Sequence, residues 1–157
     1  MLHEIAEPYT FVADVVLQAF SNPAFHREKM ALLAHGMASA IIGEAMRDGS
    51  FVIRVERRIP LRMPGLKLAE LVLLTEESWN RSARSGAIAV DISSVPLKMS
   101  SCVNLRDHAQ GCVVHCQWTI AAAIPLIGRT LEKAVAAELV KSSQREAAQT
   151  LDLIRRY

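Results

Sequence analysis

The sequence predicts an α+β domain: a curved antiparallel sheet of about seven strands, two short helices after the first strand, and a long C-terminal helix over the concave face. Three observations predict it. Apolar residues fall at helical spacing on both sides of the break Ser21-Asn22-Pro23. From Ala38 to Ile124 the apolar period changes to two, with short turns between segments. From Arg129 to Arg156 there is neither proline nor glycine, and one face is apolar.

In chain order, "HEIAEPYTF" reads as a short first strand ended near Pro8. Val12, Val15, Val16, Leu17 and Phe20 then mark a helix, and Pro23 opens a second one, "AFHREKMALLAH". In "SAIIGEAMRDGSFVIRVERRIPL", Asp48-Gly49 supplies the positive φ values of a tight hairpin turn. The return strand places Phe51, Ile53, Val55, Arg57 and Ile59 on the buried face. The segments "LAELVLLTEESW", "SGAIAVDISS", "VPLKMSSCVNLRD" and "GCVVHCQWTIAAAI" read as four further strands. Pro125 and Gly128 end the sheet. The last segment carries the stripe Leu131, Val135, Leu139, Val140, Ala147, Leu151 and Ile154, and at 1.5 Å per residue it spans roughly 40 Å, enough to cross a whole sheet. Its small alanines leave volume beneath them, which predicts a pocket between helix and sheet.

Composition narrows the function. The chain has 157 residues, 51% hydrophobic and 22% charged, which suits one domain (1–157) with a single core, and aromatics at 5% make that core aliphatic. A net charge of +2, with no basic cluster beyond "RVERR" at Arg54 to Arg58, argues against nucleic acid as a partner. No apolar run reaches the ~20 residues of a membrane span, and "LHEIAEPYTF" lacks the pattern of a signal peptide. With 3 cysteines that cannot all pair within the chain, the expected setting is the cytoplasm.

"HEIAEPYTFVADVVLQAFSNPAF" resembles the opening of START-like (SRPBCC, helix-grip, Bet v 1-like) proteins, whose first strand leads into a helix ending at a similar D/N-P-x-F/Y. The tail from Ile124 to Ile154 is similar to the end of that superfamily's uncharacterised bacterial branch, domain of unknown function family 2505. The matching positions are Pro125, Leu126, Ile127, Gly128, Leu131, Glu132 and Glu146, with "EESW" ending at Trp79. These are packing and turn residues. The resemblance covers nearly the whole chain and implies a helix-grip fold with a deep apolar cavity, used by different members for lipids, sterols, plant hormones, polyketide cyclisation or protein partners. It implies no shared catalytic set and no cofactor.

Arg57 is the sharpest anomaly among the candidate residues, because alternation puts a guanidinium among Ile53, Val55 and Ile59. It reads either as an anchor for a carboxylate-like head group or as a strand-end arginine reaching the rim. Glu44 and Glu77 are the carboxylates expected to look inward, Glu44 through its pairing with Ile53 across the hairpin. In an apolar cavity either would have a raised pKa and could serve as acid or base; the blander role is a rim residue or the partner of an arginine.

Trp79, Trp118, Met46 and Met99 are expected to line the concave face, with Val90 and Val103 on neighbouring strands and Leu139 on the helix. They are core packing if the space is full and a pocket wall if it is open. Cys112, His115 and Cys116 cannot share one metal: residues four apart on a strand are separated by about 13 Å, and His115 points to the other face. No nucleophile stands beside a histidine base, since His3, His26, His35 and His108 fall on termini or loops in this reading. The Pro/Gly-rich connector Leu61 to Leu68 is a candidate gate. Together these features predict a module that binds a hydrophobic or amphipathic, lipid-like small molecule, with a small cyclase, dehydratase or hydrolase and a ligand-free interaction module as alternatives.

Overall fold

A computed structural model of the chain describes residues 1–33, 39–60, 70–93 and 95–157. The elements run β1 (Leu2–Tyr9), α1 (Ala13–Phe20), α2 (Pro23–Leu33), β2 (Ser39–Arg47), β3 (Ser50–Pro60), β4 (Glu70–Asn80), β5 (Ser85–Ile92), β6 (Leu97–His108), β7 (Gly111–Ala122) and α3 (Gly128–Ile154). The strands form a 7-stranded sheet in the order β1-β7-β6-β5-β4-β3-β2. Every described pairing in it is antiparallel. The sheet is open, with β1 and β2 at its edges. Pro8 lies inside β1 instead of ending it, which an edge strand tolerates because one side of its ladder needs no N–H.

Local chemistry explains the joints. Asp48 and Gly49 turn β2 into β3 with φ values of 49° and 75°, the left-handed pair of a tight hairpin, and so pair Glu44 with Ile53. A bulge between Ile41 and Gly43 bends β2 beyond the turn. Asn22 accepts the Ala24 N–H through Oδ1 at 2.9 Å and Pro23 occupies the first position of α2, so the two short helices are separate. Asp107 on β6 accepts the Ala13 N–H at 2.7 Å, tying the start of α1 to the sheet.

The register sets which side chains share a face. One row runs Phe51, Trp79, Gly86, Val103, Cys116 and Ile5 across the sheet. The next runs Ile53, Glu77, Ile88, Ser101, Trp118 and His3. Beyond it come Val55, Thr75, Val90, Met99 and Ile120, and then Arg57, Leu73 and Ile92. The helices cover this face. The backbone of α3 runs nearest to β7 and β1 and against α2. Its packed positions include Ala136, Thr150 and Leu153 beside the expected Ala147 and Ile154, while Leu131, Val135, Leu139, Val140 and Leu151 are half-buried.

Among the described residues the interior holds two apolar clusters. The first gathers aromatics, with Phe20 against Trp79 at 4.7 Å between ring centroids and against Phe25 at 5.7 Å, closed by Leu153 and Ile154 of α3. The second is aliphatic, built on Val90, Leu97, Met99, Trp118, Ile120 and Ala136. Half-buried Leu73, Ile88 and Ile92 on the sheet and Val135, Leu139 and Val140 on α3 pack against it.

Candidate functional site

Glu77 sits on β4 between Ile53 of β3 and Ile88 of β5, at the boundary between the two clusters. It is half-buried. Its Oε2 accepts a hydrogen bond from the Trp79 indole Nε1 at 3.2 Å. No described residue donates to its other oxygen.

The charges around Glu77 come mainly from α2. Lys29 places its ammonium 3.6 Å from Glu146 on α3, with both side chains largely buried, and still acts on Glu77. His26 is buried, donates through Nε2 to the Phe20 carbonyl at 2.6 Å, and stacks on Phe51. Burial pushes the Glu77 carboxyl upward, but Lys29, His26, the Trp79 N–H and Arg57 together outweigh it and hold the pKa below the usual carboxylate range. This corrects the expected raised value. Proximity of cations beats desolvation at this position. For His26 burial is the largest influence and moves its pKa below the ordinary 6.5, against the opposing pull of Glu77.

Other sequence candidates are distributed as follows. Arg57 is half-buried opposite Leu73, two rows from the Glu77 row toward the far end of the strands, and no described carboxylate stands within ion-pair distance of it. Glu44 shares the face of Ile53 as expected, but it is exposed on the edge strand and pairs with Arg27 at 3.4 Å, so it does not enter the interior. Met46 is likewise corrected: it is 71% exposed, because it lies on edge strand β2, which has no neighbouring strand on its outer side. Trp79, Ile53, Val55 and Val103 belong to the aromatic cluster. Val90, Met99 and Trp118 belong to the aliphatic one, with Leu139 packed against it.

Several interior residues were not among the sequence candidates. Glu7 shares the covered face of β1 with Ile5 and Tyr9, and accepts a hydrogen bond from Ser143 of α3 at 3.0 Å. His26, read as lying on a terminus or loop and so set aside, is a buried residue of the expected second helix, and Lys29 and Glu146 meet across α2 and α3. Strand alternation flags Glu7, but nothing local in a helix says which partner a lysine will reach. His115 faces away from the interior toward Glu4 on β1, 3.8 Å away. Cys116 points inward, where burial pushes its thiol up to about 11, as befits a small apolar side chain. His35 and the connector Leu61 to Leu68 lie outside the described residues.

The tail motif supplies the expected turn at Pro125 to Ile127 and the expected packing at Gly128, which is buried. Leu126 has a φ of 69° and is fully exposed, and Ile127 is 57% exposed. Glu132 instead fastens the joint between sheet and helix, accepting the Ala122 N–H at 3.0 Å and standing 3.7 Å from the Met1 ammonium. Among the described residues no helix is long and apolar enough to cross a membrane.

Comparison with known proteins agrees with this architecture. The family model described as "Protein of unknown function (DUF2505)" matches residues 4–154. No curated protein sequence matches the chain. Among solved structures, a Thermus thermophilus protein is similar at 12% identity with a TM-score of 0.65, covering 99% of this chain and 98% of that one. Ara h 8.0201 is similar at 12% identity and a TM-score of 0.68, covering 100% and 99%. Norcoclaurine synthase from Thalictrum flavum is similar at 14% identity and a TM-score of 0.57, covering 99% and 83%. At these identities the likeness is one of fold.

Proposed function

The chain belongs to the DUF2505 family and has the START-like, Bet v 1-like fold; from that premise we propose that it binds a hydrophobic or amphipathic small molecule between the sheet and α3. The observation that carries this reading is a pair of aliphatic walls: Leu73, Ile88 and Ile92 on the sheet and Val135, Leu139 and Val140 on α3 turn toward the interior without being fully buried. A close-packed core would have sealed them. The line of α3, nearest to β7 and β1, leaves β4 and β5 less closely covered.

Catalysis is the weaker reading. A carboxyl held below its ordinary range is already ionised at neutral pH and is a poor proton donor.

Native mass spectrometry of protein purified from cells, followed by thermal-shift measurements with medium- and long-chain alkyl compounds, tests the proposal. Expected are a co-purifying or added apolar ligand that raises the melting temperature of the wild type, and loss of that rise in Leu139→Trp, which fills the space from the α3 side. If nothing co-purifies and no compound shifts the wild-type transition, the protein is not a binder of this kind.

A further inference from the structure

We propose that the turn between β7 and α3 docks on the surface of an anionic lipid bilayer, with Leu126 and Ile127 entering the apolar layer and Arg129 and Lys133 facing the headgroups. Two residues of this turn are ones that the fold itself does not ask for. Leu126 holds a φ of 69°, the left-handed conformation that suits glycine or asparagine and is costly for other residues, and it is fully exposed. Ile127, 57% exposed, stands at the cap position of α3 and gives no side-chain hydrogen bond there, as a serine, threonine or aspartate would. Each breaks a local rule, and neither gains burial in return. The turn is firmly built all the same. The Ile127 N–H donates to the Pro125 carbonyl and the Gly128 N–H to the Ile124 carbonyl, both at 2.9 Å. Gly128 packs so near the Ala122 carbonyl oxygen that a Cβ would lie 2.7 Å from it. Two adjacent apolar side chains are thus held outward on a rigid protrusion.

Shape and charge together select what this protrusion meets. A bilayer yields around a pointed apolar tip, whereas a second copy of the chain would bring like charges together. Arg129 and Lys133 lie four residues apart on one face of α3, and both are exposed. The groups around the turn leave their charge in place. Glu132 is only 17% exposed and is opposed by the Met1 ammonium at 3.7 Å, while Lys98 of β6 faces Asp91 of β5. Four cations (Met1, Lys98, Arg129, Lys133) therefore stand against two carboxylates (Asp91, Glu132). A cationic excess beside an apolar tip matches the negative potential of a lipid surface. The same end of the sheet carries the pairs Leu97 with Ala122 and Leu73 with Ile92, all members of or neighbours to the aliphatic cluster. Docking turns that half of the interior toward the lipid.

Co-sedimentation of the full chain with vesicles of phosphatidylcholine alone, and of phosphatidylcholine mixed with phosphatidylglycerol, tests the proposal. The protein is expected to bind the anionic vesicles about thirtyfold more tightly than the neutral ones, the effect of two cations near a charged surface, and to release them as salt is raised. Lys133→Gln is expected to weaken that binding about fivefold, and Leu126→Asn about tenfold. The melting temperature of Leu126→Asn should hold or rise, because asparagine tolerates the left-handed conformation, and Ile127→Ser should behave likewise by improving the cap. Loss of docking with folding intact then assigns the two side chains to the membrane. No sedimentation with anionic vesicles overturns the proposal, as does equal binding to both vesicle types or binding that neither Leu126→Asn nor Ile127→Ser weakens. Light scattering that shows a dimer dissociated by Leu126→Asn gives the tip to a second copy and overturns it too. Should a variant not fold, the wild-type comparison of the two vesicle types decides alone. Vesicle docking and the thermal-shift test of small-molecule binding fail separately, since neither measurement uses the other's ligand.

Discussion

Trp79 donates its indole N–H to Glu77 at 3.2 Å, two residues away on the same strand, and its ring packs on Phe20 at 4.7 Å. A single aromatic side chain thus joins the sealed half of the interior to the Glu77 carboxylate at its boundary. The position of Glu77 depends on how well that ring is packed.

Gly86 is the cross-strand partner of Trp79 on β5, and a Cβ there would lie 2.4 Å from Cε3 and 2.6 Å from Cζ3 of the ring. Phe20 packs on the same ring. Gly86→Ala is expected to cost about 1–3 kcal/mol by overpacking and to shift tryptophan emission as the ring moves. Urea denaturation and fluorescence spectra check this; unchanged stability with an unchanged spectrum would mean that the ring is not confined there.

Acid should remove a contribution made by Glu77. Its folded pKa lies below the ordinary 4.5, with Lys29, His26, Trp79 and Arg57 favouring the ionised form against burial. A depressed folded value contributes stability that is complete above the unfolded value and lost as pH falls through the folded one. The difference in stability between wild type and Glu77→Gln is therefore expected to be largest near neutrality and to shrink below about pH 4.5. Chemical denaturation across that range measures it, and a difference that grows toward acid would contradict the assignment.

His26 acts in a different window. Burial places its folded pKa below the ordinary 6.5, with Lys29 adding to the effect and Glu77, the Phe20 carbonyl and Glu44 opposing it. The unfolded chain takes up this proton at higher pH than the folded one, so stability is complete above 6.5 and falls as pH drops below it. His26→Gln cannot charge, and its denaturation midpoint should vary less than that of the wild type between about pH 7 and about pH 5. Equal slopes for the two proteins would place the titration elsewhere.

Alternation exposed the inward faces of β3, β5, β6 and β7 in the sequence because a strand's side chains obey a local rule of two. The same rule assigned Met46 and Glu44 to the inward side, and it was right about the face for both. It could not show that β2 would be an edge strand. The expected raised pKa of Glu77 failed for a related reason: desolvation follows from placement in an apolar row, while the compensating charges arrive from α2, far away in sequence.

The sequence by itself determined the order of elements, the antiparallel sheet, the long terminal helix and the inward placement of Glu77 and Arg57. These depend on periodicities of two and 3.6 residues and on turn chemistry, all of which act over short stretches of chain. The tertiary structure alone decided that Lys29 meets Glu146, that His26 is buried over Phe51, and that Glu77 stands between an aromatic and an aliphatic half. Those outcomes depend on how the helices dock against the sheet, which is fixed by the packing of the whole interior and by no local pattern.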